Sequence, residues 1–139
     1  MKLFLDTNTV LRYLVDDNKS MSDACTSLFQ KIEQGAIRPY ISTIVLLEIY
    51  WVITSHYQIV KAKAQLYIDM ILQARGLVIV EKTNFRKAFT LHRQTGIKLA
   101  DCLIATQVGK GISLCTYDTE FKKLPGFRVV TPEEVVGNI

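Results

Sequence analysis

Residues 1–15, MKLFLDTNTVLRYLV, decide how the rest of the chain is read. Lys2 to Leu5 is a short apolar run that stops at Asp6. From Thr7 to Val15 the apolar residues Val10, Leu11 and Leu14 recur at helical spacing. The stretch therefore predicts a strand running directly into a helix, with a carboxylate at the junction.

The same alternation continues outward. Ser22 to Gln34 is helical in composition and stopped by Gly35, and Arg38 to Ile41 reads as a second strand. Ser42 is placed to cap a helix over Thr43 to Ser55 that is apolar nearly all round, and Val60 to Ala74 predicts a more amphipathic partner, the two forming a helical hairpin. Leu77 to Val80 is β-branched, Asn84 to Thr95 predicts a helix ended by Gly96, and Leu99 to Val108 predicts another followed by Gly109 and Gly111. Ser113 to Thr116 and Arg128 to Val130 are the last strand candidates, and Thr131-Pro132-Glu133 has the form of a helix cap with proline in the first turn. Strands alternating with helices imply an α/β fold with a mainly parallel, helix-covered sheet. No repeat, low-complexity tract or interdomain linker interrupts it, so residues 1–139 are expected to form one domain.

Bulk properties narrow the class. A chain of 139 residues with 49% hydrophobic content can bury a sizeable core. The longest apolar stretch, Ile44 to Ile53, is split by Glu48 and falls short of the ~18 residues a membrane helix needs, and MKLFLDTN meets an acid before a signal-peptide core could form. No membrane association and a soluble, cytoplasmic location are expected. Cys25, Cys102 and Cys115 make neither an even disulfide set nor a CxxC pair and read as reduced, mostly buried thiols. The net charge of +4 favours an anionic partner only weakly by itself.

Against that basic background, acids fall inside apolar patterns at four places. Asp6 ends the first strand, where open α/β sheets bind ligands, although it could equally cap the following helix. Glu48 has Ile44, Val45, Trp51 and Val52 as helical neighbours and so is expected on a buried face, where a carboxylate must be paired, protonated or bound to a cation. A salt bridge is the alternative. Asp101, in KLADCLIA, has Ile97, Ile104 and Ala105 around it near a helix start, where a capping role competes. Asp118 and Glu120 follow a strand in TYDTEF, where each alone is more often a turn residue. One edge of the sheet would gather all four places. Such a cluster repels itself unless a divalent cation neutralises it. Oxygen-only ligation selects Mg2+ or Mn2+ over zinc, and an acidic metal site in a basic protein suits phosphodiester hydrolysis. The carboxylates of Asp6, Glu48 and Asp101 are expected close enough to share one cation.

The segments LFLDTN, STIVLLE, LADCLIA and LCTYDTEF, in this order, resemble the PIN domain, and the match spans the chain to about Phe121. In size and layout the chain is similar to the VapC toxin ribonucleases of toxin-antitoxin pairs. The resemblance implies a three-layer α/β/α fold and a metal-dependent endoribonuclease of RNA, with Asp6, Glu48 and Asp101 as metal-binding catalytic residues. It implies a further acid from TYDTEF, for which Asp118 is chosen over Glu120. Thr116, and Thr7 or Asn8, would orient ligands and water. It also implies pairing as a homodimer and a cognate antitoxin lying in an apolar groove.

His56 and His92 occupy no acid motif. Arg86, Lys87, Arg93 and Lys98 precede Asp101 and could hold RNA backbone, or form a solvated helix face. Tyr50, Trp51, Tyr57 and Tyr67 crowd the helical hairpin, mostly as core with a remainder left for an interface. Two other enzyme classes that begin with a strand and an aspartate are excluded. A haloacid-dehalogenase-like phosphotransferase needs an acid where Asn8 stands, and a receiver domain needs paired acids after its first strand. A non-catalytic PIN-like module binding RNA or protein is the remaining competitor.

Overall fold

The computed structural model describes residues 1–15 and 17–138. Five parallel strands, β1 (Lys2–Leu5), β2 (Arg38–Ser42), β3 (Val78–Val80), β4 (Ser113–Cys115) and β5 (Val129–Val130), lie in the order β3-β2-β1-β4-β5. The chain steps outward from β1 to β2 to β3, then crosses back to lay β4 on the other side of β1. Strand order therefore reverses at β1, and the crevice beyond the carboxyl ends of β1 and β4 is the topological switch point of the sheet.

The helices are α1 (Thr7–Leu14), α2 (Lys19–Glu33), α3 (Thr43–Trp51) with a π-helical continuation (Val52–His56), α4 (Lys61–Leu72), α5 (Phe85–Thr95), α6 (Leu99–Gln107) and α7 (Pro132–Gly137); a 3-10 helix covers Thr119–Lys123. Contacts link α1 to α2 and α3, α3 to α4, and α2 to α7, while α5 and α6 pack on each other. Two helical layers enclose the sheet, as right-handed crossovers require when strand order reverses. The expected three-layer α/β/α arrangement is thus present.

Local chemistry explains the element ends. Ser42 caps α3, its Oγ accepting from the Ile44 N–H at 3.1 Å. Gly96 ends α5 in the left-handed region at φ 71, a conformation that costs a residue without Cβ least. Thr131 and Glu134 form a capping box at α7 with Pro132 in its first turn. One start differs from expectation: α2 begins at Lys19 rather than Ser22, because Asn18 Oδ1 accepts from the Met21 N–H at 3.2 Å and supplies an earlier cap.

Leu3, Phe4 and Leu5 of β1, Ile41 of β2 and Leu114 and Cys115 of β4 are at most 1% exposed, each large side chain contributing roughly 1.5–3 kcal/mol by its burial. This sheet core fixes the strand register, and with it the residues just beyond the strand ends. The three cysteines are free and buried. Among the described residues no helix is long and apolar enough to cross a membrane. Around Glu48, Val45 is buried as expected, but Trp51 departs from expectation at 65% exposed, and Leu47 beside this face is 73% exposed. An outer-layer helix has only one side to offer the sheet, so part of its apolar surface remains uncovered.

Candidate functional site

The site begins with strand register. Leu5 is the partner of Cys115, so Asp6 and Thr116, one residue further along each parallel strand, emerge side by side although 110 residues apart. The Asp6 N–H donates to the Cys115 carbonyl at 3.1 Å, and the Thr116 hydroxyl donates to Asp6 Oδ2 at 2.7 Å. Asp6 stands at the N-cap position of α1 but its side chain makes no cap hydrogen bond. The capping alternative is therefore not what holds its carboxylate.

Asn8 and Thr116 knit the two strand ends together. Asn8 Oδ1 accepts from the Tyr117 N–H at 3.1 Å, and Asn8 Nδ2 lies 3.3 Å from Thr116 Oγ1 and 3.5 Å from Asp6 Oδ2. Thr116 Oγ1 in turn accepts from the Asp118 N–H at 3.0 Å. Of the two polar residues expected behind Asp6, Asn8 makes these contacts, whereas the buried Thr7 hydroxyl has no partner among the described residues. Thr9 and Tyr117 also belong to the scaffold and had no sequence signal. The Thr9 hydroxyl donates to the Cys115 carbonyl at 3.1 Å. Tyr117 donates to Glu133 Oε1 at 2.9 Å, and its oxygen lies 3.8 Å from Cys25 Sγ.

Electrostatics place the other acids around Asp6. Burial pushes the Asp6 carboxyl up from its ordinary value; hydrogen bonds from Thr116 and the Thr7 backbone oppose the shift, and the charges of Glu48 and Asp118 add to it. Asp101, in the first turn of α6, is pushed up to about 6, first by burial, then by Asp6, against the pull of Lys98 and with further pushes from Asp118 and Glu48. Partly buried carboxylates raise one another in this way even when they are too far apart to touch, because they are little screened by salt. The fold thus brings Asp6, Glu48, Asp101 and Asp118 into one electrostatic neighbourhood. None of the four forms a salt bridge among the described residues, so the ion-pair alternative for Glu48 finds no partner there.

Glu120 lies apart. It is exposed and pairs with Lys123 at 3.0 Å. Asp118 has a turn role as well, since its Oδ1 accepts from the Glu120 N–H at 2.9 Å and starts the 3-10 helix. The expectation of a closed ligand set is not met: among the described residues no three His, Cys, Asp or Glu side chains are gathered tightly enough to hold one ion.

The donor chemistry nevertheless suits a hard divalent cation. All four groups are carboxylates, two of them resist ionisation where they stand, and the buried Thr7 hydroxyl beside Asp6 is unpartnered.

The PIN domain family model matches residues 3–126. The fold is similar to that of VapBC2 from Rickettsia felis bound to a DNA fragment from its promoter, with a TM-score of 0.68 and 23% identity over 94% of this chain and 98% of that one. It is similar to PAE2754 from Pyrobaculum aerophilum, with a TM-score of 0.70 and 12% identity over 99% and 94% of the two chains. VapBC-1 from nontypeable Haemophilus influenzae gives a TM-score of 0.66 and 15% identity over 95% and 98%. No curated protein sequence matches. At these identities the structural likeness is one of fold, but the family model takes in β1 through the 3-10 helix and every acid of the site: the chain belongs to the PIN domain family.

Proposed function

We propose that this PIN domain is a divalent-metal-dependent endoribonuclease and the toxin of a toxin-antitoxin pair, resembling VapC. The observation that carries the reading is the electrostatic convergence of Asp6, Glu48, Asp101 and Asp118 at the switch point of the sheet, without a salt bridge to any of them among the described residues.

Asp6, Glu48, Asp101 and Asp118 would hold Mg2+ or Mn2+. When bound, such an ion neutralises charge on a scissile phosphate and acidifies water for attack on it. Thr116 keeps Asp6 oriented through its 2.7 Å hydrogen bond and keeps Asp118 in place by accepting its N–H. Asn8 holds the β4 end against α1 through the Tyr117 N–H. Lys98, whose charge reaches Asp101, is positioned to receive the phosphate backbone of the strand being cut.

A partner is part of this reading. A groove of about 540 Å3 between α3 and α4, lined by Leu46, Leu47, Tyr50 and Ile68, suits a helical antitoxin segment, and the exposed Trp51 leaves apolar surface for a homodimer or that same segment. An antitoxin arginine placed among the acids would neutralise them in place of the metal. Two of the similar structures are VapBC2 from Rickettsia felis and VapBC-1 from nontypeable Haemophilus influenzae.

The test is cleavage of single-stranded RNA by the purified chain with Mg2+ or Mn2+. The expected result is cleavage that chelation abolishes and that Asp6→Asn, Glu48→Gln and Asp101→Asn reduce to background while the variants remain folded. One observation favours a second reading, a non-catalytic PIN-like module: the acids stand too far apart to hold an ion together as they are. RNA binding without metal-dependent cutting would select it.

A further inference from the structure

Helix α5 carries an aromatic and basic face that neither the acid site nor the groove accounts for. Its sequence, FRKAFTLHRQT, contains no acid, and Ala88 is its buried residue. Phe85 and Phe89, one turn apart, are 55% and 40% exposed. Their rings lie nearly parallel, 13° between planes with centroids 6.0 Å apart. Arg93 follows one turn later, its guanidinium carbon 5.6 Å from the Phe89 centroid. Phe85, Phe89 and Arg93 thus form a stripe about 12 Å long at 1.5 Å per residue, enough for two or three bases stacked at about 3.4 Å. Arg86, next to the stripe on the helix surface, is exposed, and so is Lys87 on the opposite side.

The stripe leads toward the acids. Gly96 ends α5, Lys98 occupies the N-cap position of α6, and Asp101 lies three residues further on, within reach of the Lys98 charge. Two exposed phenyl rings in water cost solvation free energy that a folded chain ordinarily recovers by burial. A protein partner would take the rings, but a helix with basic residues and no acid, with a guanidinium lying over one ring, complements a polyanion that also offers π-faces. Single-stranded nucleic acid has that chemistry, since stacking supplies affinity and the backbone supplies charge.

We propose that the Phe85–Phe89–Arg93 face of α5 is a stacking platform for unpaired bases of single-stranded RNA, delivering the strand past Lys98 to the acids. The proposal rests on the ribonuclease reading for its choice of ligand.

Fluorescence anisotropy with a short, unstructured, labelled RNA in EDTA tests it, because binding is then read without cleavage. The wild-type chain is expected to bind the single strand more tightly than a duplex of the same sequence. Phe85→Ala/Phe89→Ala should weaken single-strand binding by at least about tenfold, with duplex binding and the melting curve unchanged; Phe85→Trp/Phe89→Trp should restore affinity. Arg86→Gln should instead reduce the salt dependence of binding. Failure of the wild type to bind, equal loss for single strand and duplex, or no loss in the alanine variant would overturn the platform. So would a change in sedimentation of the alanine variant with RNA binding intact, which would make the face a protein interface. Wild-type chain that binds unpaired RNA through these rings yet cuts none with Mg2+ or Mn2+ would support the platform and overturn the nuclease reading.

Discussion

Asp101 and Asp6 both resist ionisation, and for Asp101 the effect is large enough to read in stability. Its carboxyl titrates near 6 in the folded chain against 3.8 ordinarily, so between those values the folded state holds the proton more tightly than the unfolded one. Stability contributed by this group therefore falls as pH rises from about 4 to 6 and stays low above that. Asp101→Asn removes the effect: the variant should melt higher than wild type at pH 7, with a gap that closes as pH drops through 6 toward 4. A lower melting temperature for Asp101→Asn at pH 7 would make the residue a structural cap. Thr116 acts the other way. Thr116→Val deletes the hydrogen bond that opposes the rise at Asp6 and leaves the Asp118 N–H without its acceptor, a cost of about 1–3 kcal/mol for the stranded groups. It should also slow RNA cleavage by roughly 10–100-fold, as loss of a ligand-orienting partner does, and Thr116→Ser should recover most of the rate. A fall in melting temperature with an unchanged rate would confine Thr116 to a structural role.

Among the elements, α3 shows where sequence pattern carries information and where it stops. Ser42 was recognisable as its cap because a short polar residue preceded an apolar run, and the hydrogen bond to Ile44 is there. Burial around Glu48 was not recognisable in the same way. An apolar helix of period 3.6 reads the same whether both sides meet protein or only one does, and here Leu47 and Trp51 meet solvent. Because those side chains contribute little to the core, Leu47→Ser/Trp51→Ser should shift stability by no more than about 0.5 kcal/mol per site in thermal melting, while abolishing co-purification with the product of a neighbouring antitoxin gene. Undiminished co-purification would move the antitoxin away from this helix. Asn18 is the converse case: four residues ahead of the expected start of α2 at Ser22, it was hidden because its cap opens a polar first turn, Lys19-Ser20, that carries no hydrophobic period.

Across the whole molecule, parallel strands put every strand's carboxyl end on one edge, and the reversal of order at β1 opens that edge between β1 and β4. Asp6 and Thr116 meet there through register alone, so the place of Asp6 at the carboxyl end of the first strand was readable from sequence. The spacing of the acids was not readable, because it depends on how α3 and α6 are set against the sheet, which periodicity along the chain does not encode. Nor could sequence rank Asp118 above Glu120; that difference arises from the 3-10 turn, which leaves Asp118 facing Asp6 and Asp101 electrostatically and gives Glu120 to Lys123. On the proposed reading, a basic chain of net charge +4 around an acidic centre would let cation and polyanion bind together rather than in competition. Calorimetric titration of the folded chain with Mn2+ tests this most directly: the account predicts saturable binding that Asp6→Asn and Asp101→Asn each abolish or weaken severely without unfolding the protein, and it is contradicted if the wild-type chain gives no saturable heat or if Asp6→Asn binds Mn2+ as tightly as wild type.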